Sequence, residues 1–153
     1  MTERTMEAYE IVRRYWKWSA LAGFIPIALV DVVTVTGLQL KMIADLARVY
    51  DVPFSQDRAK AIVGALVGAT TPPLAATAVL GALSPIFALA PGVGVVAGVF
   101  ATPAFNAAAT YALGRVFVQH FESGGTFLDM DSDKLREHFK REFDSSREAS
   151  AVR

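Results

Sequence analysis

From Ala61 to Gly114 the chain runs for 54 residues without an Asp, Glu, Lys, Arg or His. As one helix this run would extend about 80 Å at ~1.5 Å per residue, against a hydrocarbon core of roughly 30 Å. It must therefore fold back on itself, and with lipid as its solvent the simplest solution is a hairpin of two apolar spans. Thr70-Thr71-Pro72-Pro73, Ser84-Pro85, Pro91-Gly92 and Pro103 punctuate the run. They place the spans at Ala61 to Leu83 and Val93 to Arg115, kinked at Pro72 and Pro103, with the reversal in Ser84 to Gly92. The reversal carries no charge, so it is expected to stay in or near the far interface rather than in bulk water. Both flanks then face one compartment, and Arg58, Lys60, Lys134, Arg136, Lys140 and Arg141 mark that side as cytoplasmic.

Composition agrees with a membrane setting. The 153 residues are 53% apolar, above the ~45–50% usual for soluble domains, and the mean hydropathy is +0.36. Fifteen acidic and fifteen basic residues cancel, which provides no overall field for nucleic acid. The absence of cysteine removes disulfides, Cys-ligated zinc, iron–sulfur clusters and thiol catalysis. The first residues show mixed charge and no cleavage pattern, so no signal peptide is expected.

Outside the run the pattern is amphipathic. Ala8, Tyr9, Val12, Tyr15, Trp16 and Ser19 share one helical face opposite Glu7, Glu10, Arg14 and Lys17, which predicts an interfacial helix over 6–19. Trp18 to Leu38 is long enough to span but is interrupted by Gly23, Pro26 and Asp31. Four basic residues precede it (Arg4, Arg13, Arg14, Lys17) and four follow it (Lys41, Arg48, Arg58, Lys60). That balance favours a segment that re-enters or lies along the interface. Val35, Leu38, Met42, Leu46 and Val49 then line one side of a helix ending near Tyr50, so 18–50 reads as one broken apolar-to-amphipathic unit. Ser55 is the expected cap of the next helix, with Asp57 in its first turn. The hairpin unit, 56–121, is expected to stop at Ser123-Gly124-Gly125. Leu135, Phe139 and Phe143 mark a last amphipathic helix over 131–143, capped by Asp131 or Ser132, with a Glu137–Arg141 pair and a frayed tail over 144–153.

Small residues form rows within the spans: Gly64 with Gly68; Gly94, Gly98 and Ala101; and Ala104, Ala108 and Ala112. In lipid, where burying apolar groups offers no advantage over leaving them in tails, close backbone approach is what associates helices. The rows fit packing of the two arms within one chain or between copies in a homo-oligomer.

Signals for chemistry are weak. Asp129-Met-Asp131-Ser-Asp133 begins like a calcium loop, but Lys134 stands at the glycine position and Lys140 at the bidentate glutamate. His120 and His138 lack ligand spacing, no phosphate-binding GxxxxGK[ST] exists, and no nucleophile elbow is present. No catalytic residue, metal or cofactor is expected. Asp31, an ionisable group between Ile-Ala-Leu-Val and Val-Val-Thr-Val, is the one polar residue singled out. It either holds the bend of the first segment or lines a polar path, or it caps the following helix at the water interface.

Taken together, Ala22-Gly-Phe-Ile-Pro-Ile-Ala-Leu-Val-Asp31, Leu38-Gln-Leu-Lys-Met-Ile-Ala-Asp-Leu46 with Tyr50, and Leu113-Gly-Arg-Val-Phe-Val-Gln-His-Phe-Glu-Ser-Gly-Gly-Thr126 resemble the YcjF-type membrane domain, roughly over Ala8 to Phe143. That family has no assigned function and is often fused to or associated with small GTPases. The resemblance implies a membrane protein with a GTPase as a separate partner chain, and it supplies no catalytic residues.

The sequence thus predicts an all-α membrane protein of one domain: a two-span apolar hairpin flanked by amphipathic helices and a re-entrant first segment. It would sit in a bacterial inner membrane with cytoplasmic termini. Its expected role is a non-enzymatic anchor or platform, with the lipid bilayer and a cytoplasmic protein as partners and no nucleic acid. An oligomeric channel and a soluble helical bundle stay open as alternatives. Replacing Asp31 with Leu is expected to disturb folding or assembly, measured by size-exclusion in detergent; an unchanged profile would dismiss the residue.

Overall fold

The computed structural model of the protein describes residues 2–22, 28–70 and 103–151. Among them lie five helices and no strand: α1 Glu3–Ala22, α2 Ala28–Val49, α3 Gln56–Ala69, α4 Pro103–Glu122 and α5 Ser132–Ala151. Their ends follow local rules. Thr2 Oγ1 accepts the Thr5 amide at 3.2 Å and caps α1. Ser55 occupies the N-cap of α3 in extended conformation, although its hydroxyl makes no capping bond. Asp131 caps α5 by accepting the Asp133 amide on Oδ1 at 3.0 Å.

Two helices end in Schellman motifs, in which a left-handed residue returns two amides to the last turn. After α4, Gly124 at φ 85° allows its own amide to reach Phe121 O and the Gly125 amide to reach His120 O, both at 3.0 Å. After α2 the left-handed residue is Asp51 at φ 56°, with Val52 N–H bonded to Ala47 O at 2.8 Å. The glycine stop was legible in the sequence. The aspartate stop was not, since only a few per cent of non-glycine residues take this region.

Helix directions follow from the contacts. Along α1 and α4, Thr5 bonds Glu122, Val12 meets Gly114 and Ser19 bonds Asn106, so the two are antiparallel. Tyr15 bonds Asp45 and Arg4 pairs with Asp51, so α2 is also antiparallel to α1. Helices α2 and α4 therefore run parallel, joined by Gln39–Thr110 and Tyr50–Phe121. The short turn after α2 sends α3 back alongside it, starting where Phe54 meets Phe127 edge-on at 5.7 Å. Helix α5 packs on α4 and α3 through Phe139 and Phe143, both buried.

All of this gives the body two unlike poles. At one, Phe117, Phe121 and Phe127 form a triangle of rings with centroids 5.4–5.9 Å apart, closing the turns that follow α2 and α4. At the other, α1 ends, α2 begins, α3 ends and α4 begins.

Several expectations are corrected. The face of α1 predicted for the membrane interface is buried in protein: Ala8, Val12 and Ser19 are fully enclosed and Tyr15 is 5% exposed. Amphipathicity announces a face to be covered but does not say by what. The spans placed at Ala61 to Leu83 and Val93 to Arg115 have their described portions inside the bundle, where Ile62, Val63, Leu66, Ala107 to Ala109, Ala112 and Leu113 belong to the core. A charge-free run reads the same whether its solvent is lipid or other helices. No described helix is long and apolar enough to cross a membrane; the remainder of both spans and the reversal at 84–92 lie outside the described residues. The tail predicted to fray after 143 is helical through Ala151, with the Arg147 guanidinium 5.8 Å from the Phe143 ring centre one turn below it. Arg141 sits against His138 Nδ1 at 3.3 Å rather than forming the predicted pair with Glu137.

Gly114 sets the closest helix approach, since a Cβ there would lie 2.5 Å from Val12 Cγ1 and 2.6 Å from Cγ2. Gly114→Ala is expected to cost about 1–3 kcal/mol by overpacking. Combining it with Val12→Ala should cost less than the sum of the two single changes, as read from denaturant unfolding in detergent.

Candidate functional site

Two features towards the pole where α3 ends and α4 begins stand out from ordinary core packing. The first is buried and polar. Thr110 Oγ1, with 0% exposure, donates to Ser19 Oγ at 2.8 Å and accepts from Gln39 Nε2 at 3.2 Å; Ser19 Oγ donates in turn to the Asn106 carbonyl at 3.1 Å. Three helices are thus tied by one chain of hydrogen bonds out of reach of water. Such a network rigidifies when satisfied and is costly when broken, because each orphaned buried group costs about 1–3 kcal/mol.

The second feature is the outer side of α1. At 100° per residue, Glu10, Arg14, Lys17 and Leu21 lie opposite the buried positions Ala8, Val12, Tyr15 and Ser19, with Arg13 and Trp18 at the edges. Trp18 and Leu21 are 58% and 59% exposed. Together these six side chains line a groove of about 480 Å³.

Asp45 connects this surface to the core. It accepts the Tyr15 hydroxyl at 2.7 Å and holds Arg14 at 3.6 Å and Arg48 at 3.5 Å. Burial, reinforced by the hydrogen bond and negative charge of Asp45, pushes the Tyr15 phenol up to about 12, with Arg14 opposing. Burial also raises Tyr9 against the pull of Arg115, and raises Tyr50 with help from Glu122.

A second cavity, of about 560 Å³, opens between α1, α4 and α5 beside Arg13, Trp16, Tyr111, Arg115 and Glu142. Arg115 Nε stands 3.3 Å from Glu142 Oε2, and its guanidinium lies 5.0 Å from the Tyr9 ring centre. The cavity's main charges therefore already face one another.

Among the described residues no three His, Cys, Asp or Glu side chains are grouped to hold a metal. Asp131 serves as a cap and Asp129 accepts from the Thr126 hydroxyl at 2.9 Å, which gives two of the calcium-like acids structural work. His120 Nε2 is 2.9 Å from the Thr126 carbonyl, and its ring packs against the Gly125 backbone, where a Cβ would collide with it.

The predicted packing residues scatter. Ala108 and Ala112 are buried in the core. Gly64 and Gly68 are exposed, and among the described residues nothing lies within 4 Å of a Cβ built on either. Gly94, Gly98 and Ala101 fall outside the described residues. Asp31 and Ala104 belong to the backbones of α2 and α4, and their side chains fall outside the description. The row that faces α1 is instead Asn106, Thr110 and Gly114, at four-residue spacing. Its signal was present, but two of its three members are polar, and the search was for Gly and Ala.

Comparison with known proteins places these features in a wider group. A family described as a domain of unknown function, DUF697, matches residues 1–148. Magnetosome membrane protein 22 of Magnetospirillum gryphiswaldense is 32% identical over 148 residues, covering 97% of this chain and 74% of that protein. No solved structure matches.

The Tyr15 phenol binds its proton more tightly in the folded chain than the ordinary value of 10.0 allows. Its stabilisation is therefore complete below about pH 10 and lost as pH rises through about 12. Stability of the native chain is expected to fall more steeply across that interval than that of Tyr15→Phe. Thermal unfolding against pH, with an ultraviolet tyrosinate titration, checks it.

Proposed function

The chain belongs to the DUF697 family, and from that premise we propose that it is a non-enzymatic membrane protein in which a helical body is held on the bilayer by the segment 71–102 and serves as a platform for a cytoplasmic partner. The observation that carries this reading is geometric. Helix α3 ends and α4 begins at one pole, and the sequence between them, 71–102, contains no charged residue. A relative that is a magnetosome membrane protein supports the same setting.

Length constrains how deep such an anchor reaches. As two helical limbs, 71–102 would provide roughly 24 Å per limb at ~1.5 Å per residue, against ~30 Å of hydrocarbon. A hairpin that enters and returns from one side fits better than two full crossings, and it leaves the charged body in one compartment. The likeness to the YcjF-type domain motivates a GTPase as the partner, bound through the charged helices.

Alkaline carbonate extraction is expected to leave the protein in the membrane pellet; release into the supernatant overturns membrane anchoring. Because the chain has no cysteine, Ser84→Cys provides a unique thiol at the centre of the hairpin. An impermeant reagent added from the outside should fail to label it. Affinity capture from detergent extracts is expected to recover a GTPase, and its consistent absence would count against the platform role.

A further inference from the structure

We infer that the outer face of α1 is a docking surface for anionic phospholipid headgroups, which sets the depth and tilt of the helical body on the bilayer. This rests on the membrane reading above. It keeps an interfacial place for α1, but with the stripe of Ala8, Val12, Tyr15 and Ser19 turned into the protein and the outer side turned to the lipid.

The argument lies in the order of side chains along the helix. Going towards the pole where α3 ends and α4 begins, the exposed side of α1 carries Glu3, Glu7 and Glu10 around a single exposed Met6, then Arg13, Arg14 and Lys17, then Trp18 and Leu21. Arg4 interrupts the acidic section but pairs with Asp51 at 3.5 Å. Acids are thus farthest from the pole at which 71–102 departs, cations come next, and a large aromatic and an aliphatic side chain come last. A bilayer presents the complementary order: water, then phosphates, then the headgroup–acyl boundary.

The spacing also fits. Leu21 lies about 10 Å along the axis from Arg14 and about 16 Å from Glu10, at ~1.5 Å per residue, and interfacial helices bury their apolar side chains about 5–10 Å. With Leu21 at the acyl boundary, Arg14 and Lys17 reach phosphate level while Glu10 remains in water. The groove between Arg13, Arg14, Lys17 and Trp18 is open to that level. Arg14 is held in place by Asp45, itself fixed by the Tyr15 hydroxyl, and its side chain keeps 60% of its surface exposed. Neutral headgroups would satisfy Trp18 and Leu21 alone. With Arg14 offset by Asp45, Arg13 and Lys17 against Glu10 still leave the groove net positive, which selects an anionic surface.

The test uses the full chain reconstituted in phosphatidylcholine bilayers with and without phosphatidylglycerol. Leu21→Cys and Glu7→Cys each carry a nitroxide whose exposure to oxygen and to an aqueous nickel chelate is read by electron paramagnetic resonance. With phosphatidylglycerol present, the label at 21 should gain oxygen exposure and lose chelate exposure, while the label at 7 stays with the chelate. Replacing Arg13, Arg14 and Lys17 with Gln should abolish the response of position 21 to phosphatidylglycerol. A label at 21 that remains chelate-accessible in carbonate-resistant protein overturns the inference and leaves the membrane reading standing. Protein that carbonate releases overturns both. A label at 21 shielded from chelate and oxygen alike marks a protein cover on this face and also overturns the inference.

Discussion

The antiparallel seam between α1 and α4 is the contact on which the rest of the body depends. It is unusually close because position 114 has no side chain, so that Val12 lies against the α4 backbone itself. At that separation small polar side chains can bridge the helices directly, and Ser19 and Thr110 do so. Gln39 then draws α2 into the same register, parallel to α4. One hydroxyl, that of Thr110, therefore carries information about the relative height of three helices. An apolar core tolerates small slips at low cost, whereas a buried hydrogen-bonded chain does not.

Much of this was legible in the residues. The buried side of α1, the Val35–Met42–Leu46 stripe of α2, the glycine stop after α4 and the Phe139–Phe143 face of α5 all follow from helical spacing, and each is buried or capped as that spacing requires. What was not legible was the medium on the other side of each face. Leu66 and Leu113 read as lipid-facing because nothing near them is charged, yet they pack on other helices of the same chain. Asp51 escaped notice because its left-handed conformation is a property of the turn and not of aspartate. Asn106 and Thr110 were overlooked because polar residues do not register in a search for small apolar rows.

These corrections sharpen the division of labour along the chain. The acidic and basic residues are concentrated on α1, on the second half of α2 and on α5, while the apolar stretch supplies both the innermost surfaces of α3 and α4 and the uncharged sequence between them. A single hydrophobic run thus forms core at both its ends, and the proposed membrane contact falls in its middle. Tyr9 and Tyr15 on α1 and Tyr50 in the turn after α2 all hold their phenolic protons more tightly because burial disfavours the phenolate.

The shared pole of α3 and α4 has an evolutionary consequence. Seen from the bundle, α3 ends and α4 begins at one place, and the entropy of closing a connection between neighbouring ends grows only with the logarithm of its length, about 0.6 kcal/mol for each doubling. Insertions or deletions there would scarcely register in the stability of the helices. Lineages are accordingly free to lengthen or shorten this segment while the bundle stays unchanged.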